Sequence, residues 1–132
     1  MNKNSIRGLV RVAAAVAALA FGAGAHAGVD VTGTVNELQV AGDGTLYFNI
    51  TGTTFANAGT ASVTINSFCL VHWAGMSLYV PAGDPNYVYY YGLLATSLTK
   101  SIPVLLGNIS TYNGTQSCDV TKTGYGVVLL KS

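Results

Sequence analysis

Charge is scarce in this chain: six of its 132 residues are Lys or Arg, and five are Asp or Glu. Beyond residue 27 no arginine occurs, His72 is the one histidine, and the cations reduce to Lys100, Lys122 and Lys131. Against them stand Asp30, Glu37, Asp43, Asp84 and Asp119, a formal charge of −2 for that stretch. Nucleic-acid phosphates are met by clustered Lys and Arg, so so few cations argue against a nucleic-acid partner. A catalytic triad needs a base and an orienting group, and His72 lies in the apolar run Phe68–Trp73, where it reads as a packed strand residue. No two acidic residues are close in sequence, as a paired-carboxylate mechanism would favour. The glycines scatter through turns rather than forming a phosphate loop. A Cys/His quartet for zinc cannot be assembled. These scarcities point to a protein that is not an enzyme and carries neither cofactor nor metal.

The first 27 residues have their own organisation. Lys3, Arg7 and Arg11 precede the uncharged run Val12–Phe21, and Ala25-His26-Ala27 places small residues before a cleavage point. This three-part pattern predicts a secretory signal peptide over 1–27 and a mature chain from Gly28. The alternative is an uncut anchor, but the run falls short of the ~20 apolar residues needed to span a bilayer. The expected location is periplasmic or secreted, with no transmembrane segment after cleavage. The remaining 105 residues suit a single domain, 28–132, with one core.

Two cysteines, Cys69 and Cys118, remain in that domain. An even count in an oxidising compartment predicts a disulfide, against the alternative of two buried thiols. A loop of about 50 residues closed this way stabilises the fold by roughly 4 kcal/mol in the chain-entropy model.

Along the chain, Val29, Val31 and Val35 share one parity, and Leu38 and Val40 share the other. A strand has a side-chain period of two, so the switch predicts a bulge between Val35 and Leu38, with Gly33 at the easiest bend. Ala41–Gly44 is a turn, and Leu46, Phe48 and Ile50 alternate in a second strand to complete a hairpin. Ala61–Ile65, continued by Phe68–Trp73 across a bulge at Asn66-Ser67, is the expected third strand. Asp84-Pro85 signals a helix start. Val88, Tyr91, Ala95 and Leu98 then recur at helical spacing, predicting a helix over 85–99 with those four buried and Tyr89 and Tyr90 exposed. Lys100 suits the last turn. Ile102–Leu106 is a fourth strand, 107–124 a long loop, and Tyr125–Leu130 a closing strand.

A coiled strand, its hairpin partner, a third strand, a helix and two more strands follow the order of a mostly β, five-stranded OB-like Greek-key barrel with one helix between strands three and four. The competing architecture is a two-sheet sandwich in which Tyr87–Leu94 is a strand. Gly33–Val40, Leu46–Ile50, the cysteine on the third strand, the Tyr-rich helix and Ile102–Leu106 resemble the OB-fold B subunits of bacterial AB toxins. The likeness is nearest to the receptor-binding subunit of subtilase cytotoxin and to small secreted relatives. That resemblance implies a homo-oligomeric ring binding cell-surface glycans on the barrel wall.

Eight tyrosines and one tryptophan in a chain so poor in charge also suit binding, since aromatic rings combine an apolar face with a polar tip. Tyr112 and Asn113, in the long loop, are the exposed ligand-binding candidates. Trp73 is the third candidate, its other reading being a core residue. The sequons at Asn49, Asn108 and Asn113 match a glycosylation pattern, but behind a bacterial-type signal they are chance matches. The function expected is a secreted binding module for glycans or a partner protein. The alternatives are an envelope-associated structural protein and an inhibitor of a secreted hydrolase.

Overall fold

The structure, a computed structural model, describes residues 28–124 and 126–131; the expected signal peptide lies outside them. Six strands and one helix follow in the order β1 (Asp30–Val40), β2 (Leu46–Ala56), β3 (Leu78–Val80), α1 (Tyr87–Lys100), β4 (Val104–Leu106), β5 (Cys118–Asp119) and β6 (Val127–Leu129). They form one sheet, ordered β5-β3-β2-β1-β4-β6 and curled into a half-barrel. All pairings are antiparallel except β3 with β5. Among the described residues no helix is long and apolar enough to cross a membrane.

The β1–β2 hairpin is the longest ladder, and it carries the expected irregularity. Val35 pairs with Ile50 while Glu37 pairs with the next residue, Asn49, so Asn36 is the extra residue of a bulge. Val31 and Val35 before it and Leu38 after it thereby face the same core despite opposite parity. A second shift, between Thr32 and Thr34, falls opposite Gly52 and Thr53 of β2. Gly33 lies within this shift, where a Cβ would stand 3.0 Å from the Thr51 carbonyl oxygen and 3.3 Å from the Ile50 side chain. The strand bends there because nothing larger than hydrogen occupies that side.

Three expectations need correction. Residues 61–73 are not a strand: Ile65–Ser67 form a 3-10 turn, and Thr64 N–H donates to Ser67 Oγ at 3.1 Å. Ser67 is thus engaged locally where a ladder was expected, a habit of short hydroxyl side chains. The third strand is instead the short alternation Leu78-Tyr79-Val80, between Gly75 and Pro81. The expected loop 107–124 holds a further strand, Cys118–Asp119, which pairs with β3, while the closing strand stands as Val127–Leu129, paired with β4. This accounts for six strands where five were expected.

The helix covers Tyr87–Lys100, with Lys100 in its last turn as expected, and Tyr87–Leu94 is not the strand a sandwich requires. Asp84 builds the preceding turn, its Oδ1 accepting the Asn86 N–H at 2.8 Å, so the helix starts two residues beyond Pro85. The buried face also differs from the expected one. Leu94 and Ser97 are fully buried, and Tyr87, Tyr90 and Leu93 pack against the core, while Val88, Tyr91 and Leu98 are exposed. Tyr89 is exposed as expected. Both faces carry apolar residues at helical spacing, so periodicity alone could not choose between them.

Ser97 is one of the residues that fix this face. Its hydroxyl accepts the buried Val35 N–H at 2.9 Å, beside the β1 bulge that disturbs the ladder. Ser97→Ala is expected to lower stability by about 1–3 kcal/mol, because it strands a buried donor. A chemical-denaturation midpoint unchanged by the substitution would contradict this.

Inside the curl, Val31, Val35, Leu46, Phe48, Leu78, Val80, Leu94, Val104, Leu106, Ile109 and Val120 form the core. The Cys69–Cys118 disulfide lies in the same cluster, with Cα atoms 5.2 Å apart and both cysteines fully buried.

Candidate functional site

With Leu46, Phe48, Leu78 and Val80 facing the core, the alternate residues of β2 and β3 face outward. Tyr47 lies directly across from Tyr79, and Tyr79 across from Asp119 on β5. On the other side Tyr47 faces Gln39, and Asn49 faces Glu37. The outer face of four strands thus carries the row Gln39, Tyr47, Tyr79, Asp119.

The segment before β3 adds the rest of the site. Trp73 and Met76 exchange backbone hydrogen bonds around Ala74 and Gly75, whose φ angles are 51° and 81°. Two successive positive φ values make the primed turn that suits a tight hairpin. Ala74 adopts it at a cost of roughly 1–2 kcal/mol. Asn49 Nδ2 donates to the Gly75 carbonyl at 3.2 Å, tying this hairpin to β2. The hairpin lays His72 and Trp73 over Tyr47. Ring centroids are 5.1 Å apart for Tyr47 and Trp73, 5.8 Å for Tyr47 and His72, and 5.9 Å for Tyr47 and Tyr79. All three tilted pairs fall in the range where aromatic rings attract beyond simple area burial.

Burial raises the Tyr47 hydroxyl pKa above the usual phenol value, and the Asp43 carboxylate adds to it. Burial likewise raises Tyr79, followed by Asp119, Tyr112 and Tyr47. Both phenols therefore stay protonated and can donate hydrogen bonds. Asp119, itself buried, accepts from the Thr121 N–H at 2.9 Å and from the Thr121 hydroxyl.

Of the three expected binding residues, Trp73 alone stands on this wall, and it lies outside the core cluster. His72 is exposed in the hairpin region rather than packed in a strand. Tyr112 is half-buried against the core at the end of a 3-10 turn, Ile109–Tyr112, so it is not the exposed loop residue expected. Asn113 is exposed in the left-handed conformation that ends that turn. It makes no part of the aromatic row. Sequence reasoning missed Tyr47 and Tyr79. Their signal was the outward parity of aromatics in Leu46–Ile50 and Leu78–Val80, visible only once those two segments are known to be paired.

A shallow groove lies beside the helix, lined by Asn86, Tyr89, Tyr90, Leu93 and Val127. It brings together fewer polar groups than the wall. Among the described residues no three His, Cys, Asp or Glu side chains gather as a metal site would require. Compared with protein families, curated proteins and solved structures, the chain matches none of them.

Proposed function

We propose that the chain is exported, loses residues 1–27, and acts as a binding module rather than an enzyme. Its ligand is a cell-surface glycan, taken on the outer face of β2 and β3. The observation that carries this reading is the packed row of Tyr47, Trp73 and Tyr79, flanked by Gln39, Asn49 and Asp119. Aromatic faces match the C–H faces of sugar rings, and amide and carboxylate groups match their hydroxyls.

Strand connectivity supports the finer reading of an OB-like Greek-key barrel. β1 pairs with both β2 and β4, the helix joins β3 to β4, and β5 and β6 together serve as a divided fifth strand. In that architecture the face of strands two and three is a common site for oligosaccharides. Fold alone does not fix function, so the wall residues carry the weight. The exposed Val88, Tyr91 and Leu98 of the helix favour self-association, as the resemblance to toxin B subunits implies.

Trp73 is the only tryptophan, so the folded protein's tryptophan emission comes from the wall. A glycan array on the mature protein should give positives that shift this emission in solution. Trp73→Phe and Tyr47→Ala should weaken those positives by about tenfold, the scale of one aromatic contact. Silence across the array, together with a monomeric mass on a sizing column, would favour the structural or inhibitory alternatives.

A further inference from the structure

We infer that Asn113 is a latent modification site: the clamp around the Cys69–Cys118 bridge preserves its side-chain amide, and opening the bridge exposes it to deamidation. The glycan reading plays no part in this.

Asn113 is the one asparagine of the chain that is followed by glycine, and glycine has no Cβ to hinder its own backbone nitrogen. In deamidation that nitrogen attacks the asparagine Cγ. A bond forms between the Gly114 nitrogen and Cγ, the Cγ–Nδ2 bond breaks, and ammonia leaves with the Gly114 amide proton. Water then opens the cyclic imide at either carbonyl, giving aspartate or isoaspartate. Water is the only co-reactant, and no electrons change hands.

Asn113 is exposed, so water reaches it. The folded geometry nevertheless blocks the first step. Gly114 N–H donates to the Phe68 carbonyl at 2.8 Å, so the attacking nitrogen is engaged. The Asn113 ψ is 38°, which in an L residue sets the Gly114 nitrogen nearly anti to Cβ, whereas ring closure needs the two eclipsed. The turn cannot rotate alone, because Asn113 N–H donates to Ser110 O and Thr115 N–H to Tyr112 O, each at 2.9 Å. Gly114 is also confined, with φ +75° and a Cβ position only 2.9 Å from the Ser67 carbonyl oxygen.

Cys69 lies between the two residues that complete this clamp, Phe68 bonded to Gly114 and Leu70 bonded to Gln116. Without the bridge, two backbone bonds near the surface hold the segments together, and such regions open locally at small cost. Loss of ammonia makes the change irreversible. Isoaspartate also adds a methylene to the main chain between two successive positive-φ residues, so the clamp does not re-form. An oxidised chain keeps its amide, while a chain that loses its bridge gains a negative charge at 113.

The test incubates the mature protein at mildly alkaline pH in three states: oxidised, reduced, and oxidised but unfolded in guanidinium. After reduction and digestion with trypsin, one peptide, 101–122, carries Asn113 together with Asn108, which precedes isoleucine and serves as the control. Mass spectrometry of that peptide should find conversion at Asn113 and not at Asn108. It should run about tenfold or more faster in reduced than in oxidised protein, since slow chemistry follows the population of the open form. A variant carrying Cys69→Ala and Cys118→Ala should match the reduced protein. Oxidised, folded protein converting as fast as the guanidinium sample would overturn the inference, because the fold would then shield nothing. Reduced protein converting as slowly as oxidised would overturn it too, because the bridge would not be the gate.

Discussion

Opening the Cys69–Cys118 bridge should cost the fold about 4 kcal/mol. The expected result is a large fall in the denaturation midpoint, either on reduction or in a double Cys→Ala variant. The bridge joins positions 49 apart in sequence, and between them lie β3, the helix and β4. Freed of it, the unfolded chain regains most of that loop's entropy. The native state loses a clamp as well. Residues 57–76 contribute no strand, and their attachment to 109–118 runs through the bridge and two backbone bonds, Gly114 N–H to Phe68 O at 2.8 Å and Leu70 N–H to Gln116 O at 3.0 Å. Against a total stability of about 5–15 kcal/mol for a small domain, the loss is a large share. The Trp73 hairpin is the last part of this segment, so its emission should change together with global unfolding. Equal midpoints for oxidised and reduced protein would show that the core holds residues 57–76 unaided.

Phe48→Ala should be comparably damaging, at about 3–5 kcal/mol. Phe48 is fully buried near the start of β2, paired with Leu38 on one side and Leu78 on the other. Truncating it opens a void beneath the wall, bordered by two strands that cannot collapse without breaking their ladders. Val88→Ala makes the contrast. That side chain is 76 % exposed on the helix, and its loss should stay within about 0.5 kcal/mol. Urea denaturation of the two variants beside the parent tests both. Similar effects at the two positions would mean that the helix is turned the other way.

What the sequence reveals depends on whether a signal is local. The β1 bulge was legible because a parity switch in Val31, Val35 and Leu38 has few other causes. The hairpin turn and the limits of the helix follow from Asp43-Gly44, Asp84-Pro85 and Pro103 in the same way. The helix's buried face was not legible, since it is set by long-range contacts, among them Leu94 in the core and the bonds joining Val35 to Ser97 and Tyr87 to Gly44. The third strand was misplaced because Phe68–Trp73 is apolar enough for a strand, although Cys69 is anchored by a partner 49 residues away. The candidate site had the same difficulty. Trp73 stands out by itself, whereas Tyr47 and Tyr79 matter only through a register that no single segment encodes.

The two terminal strands of the sheet are two and three residues long. A sheet ends on unpaired N–H and C=O groups, and long, flat edges recruit strands from other molecules. Here the free rim offered to a neighbour is too short to template such pairing. Association of this protein with itself should therefore run through side-chain surfaces rather than a shared backbone ladder, yielding bounded assemblies instead of fibres. Concentrated, oxidised protein should remain free of the dyes that report cross-β stacking.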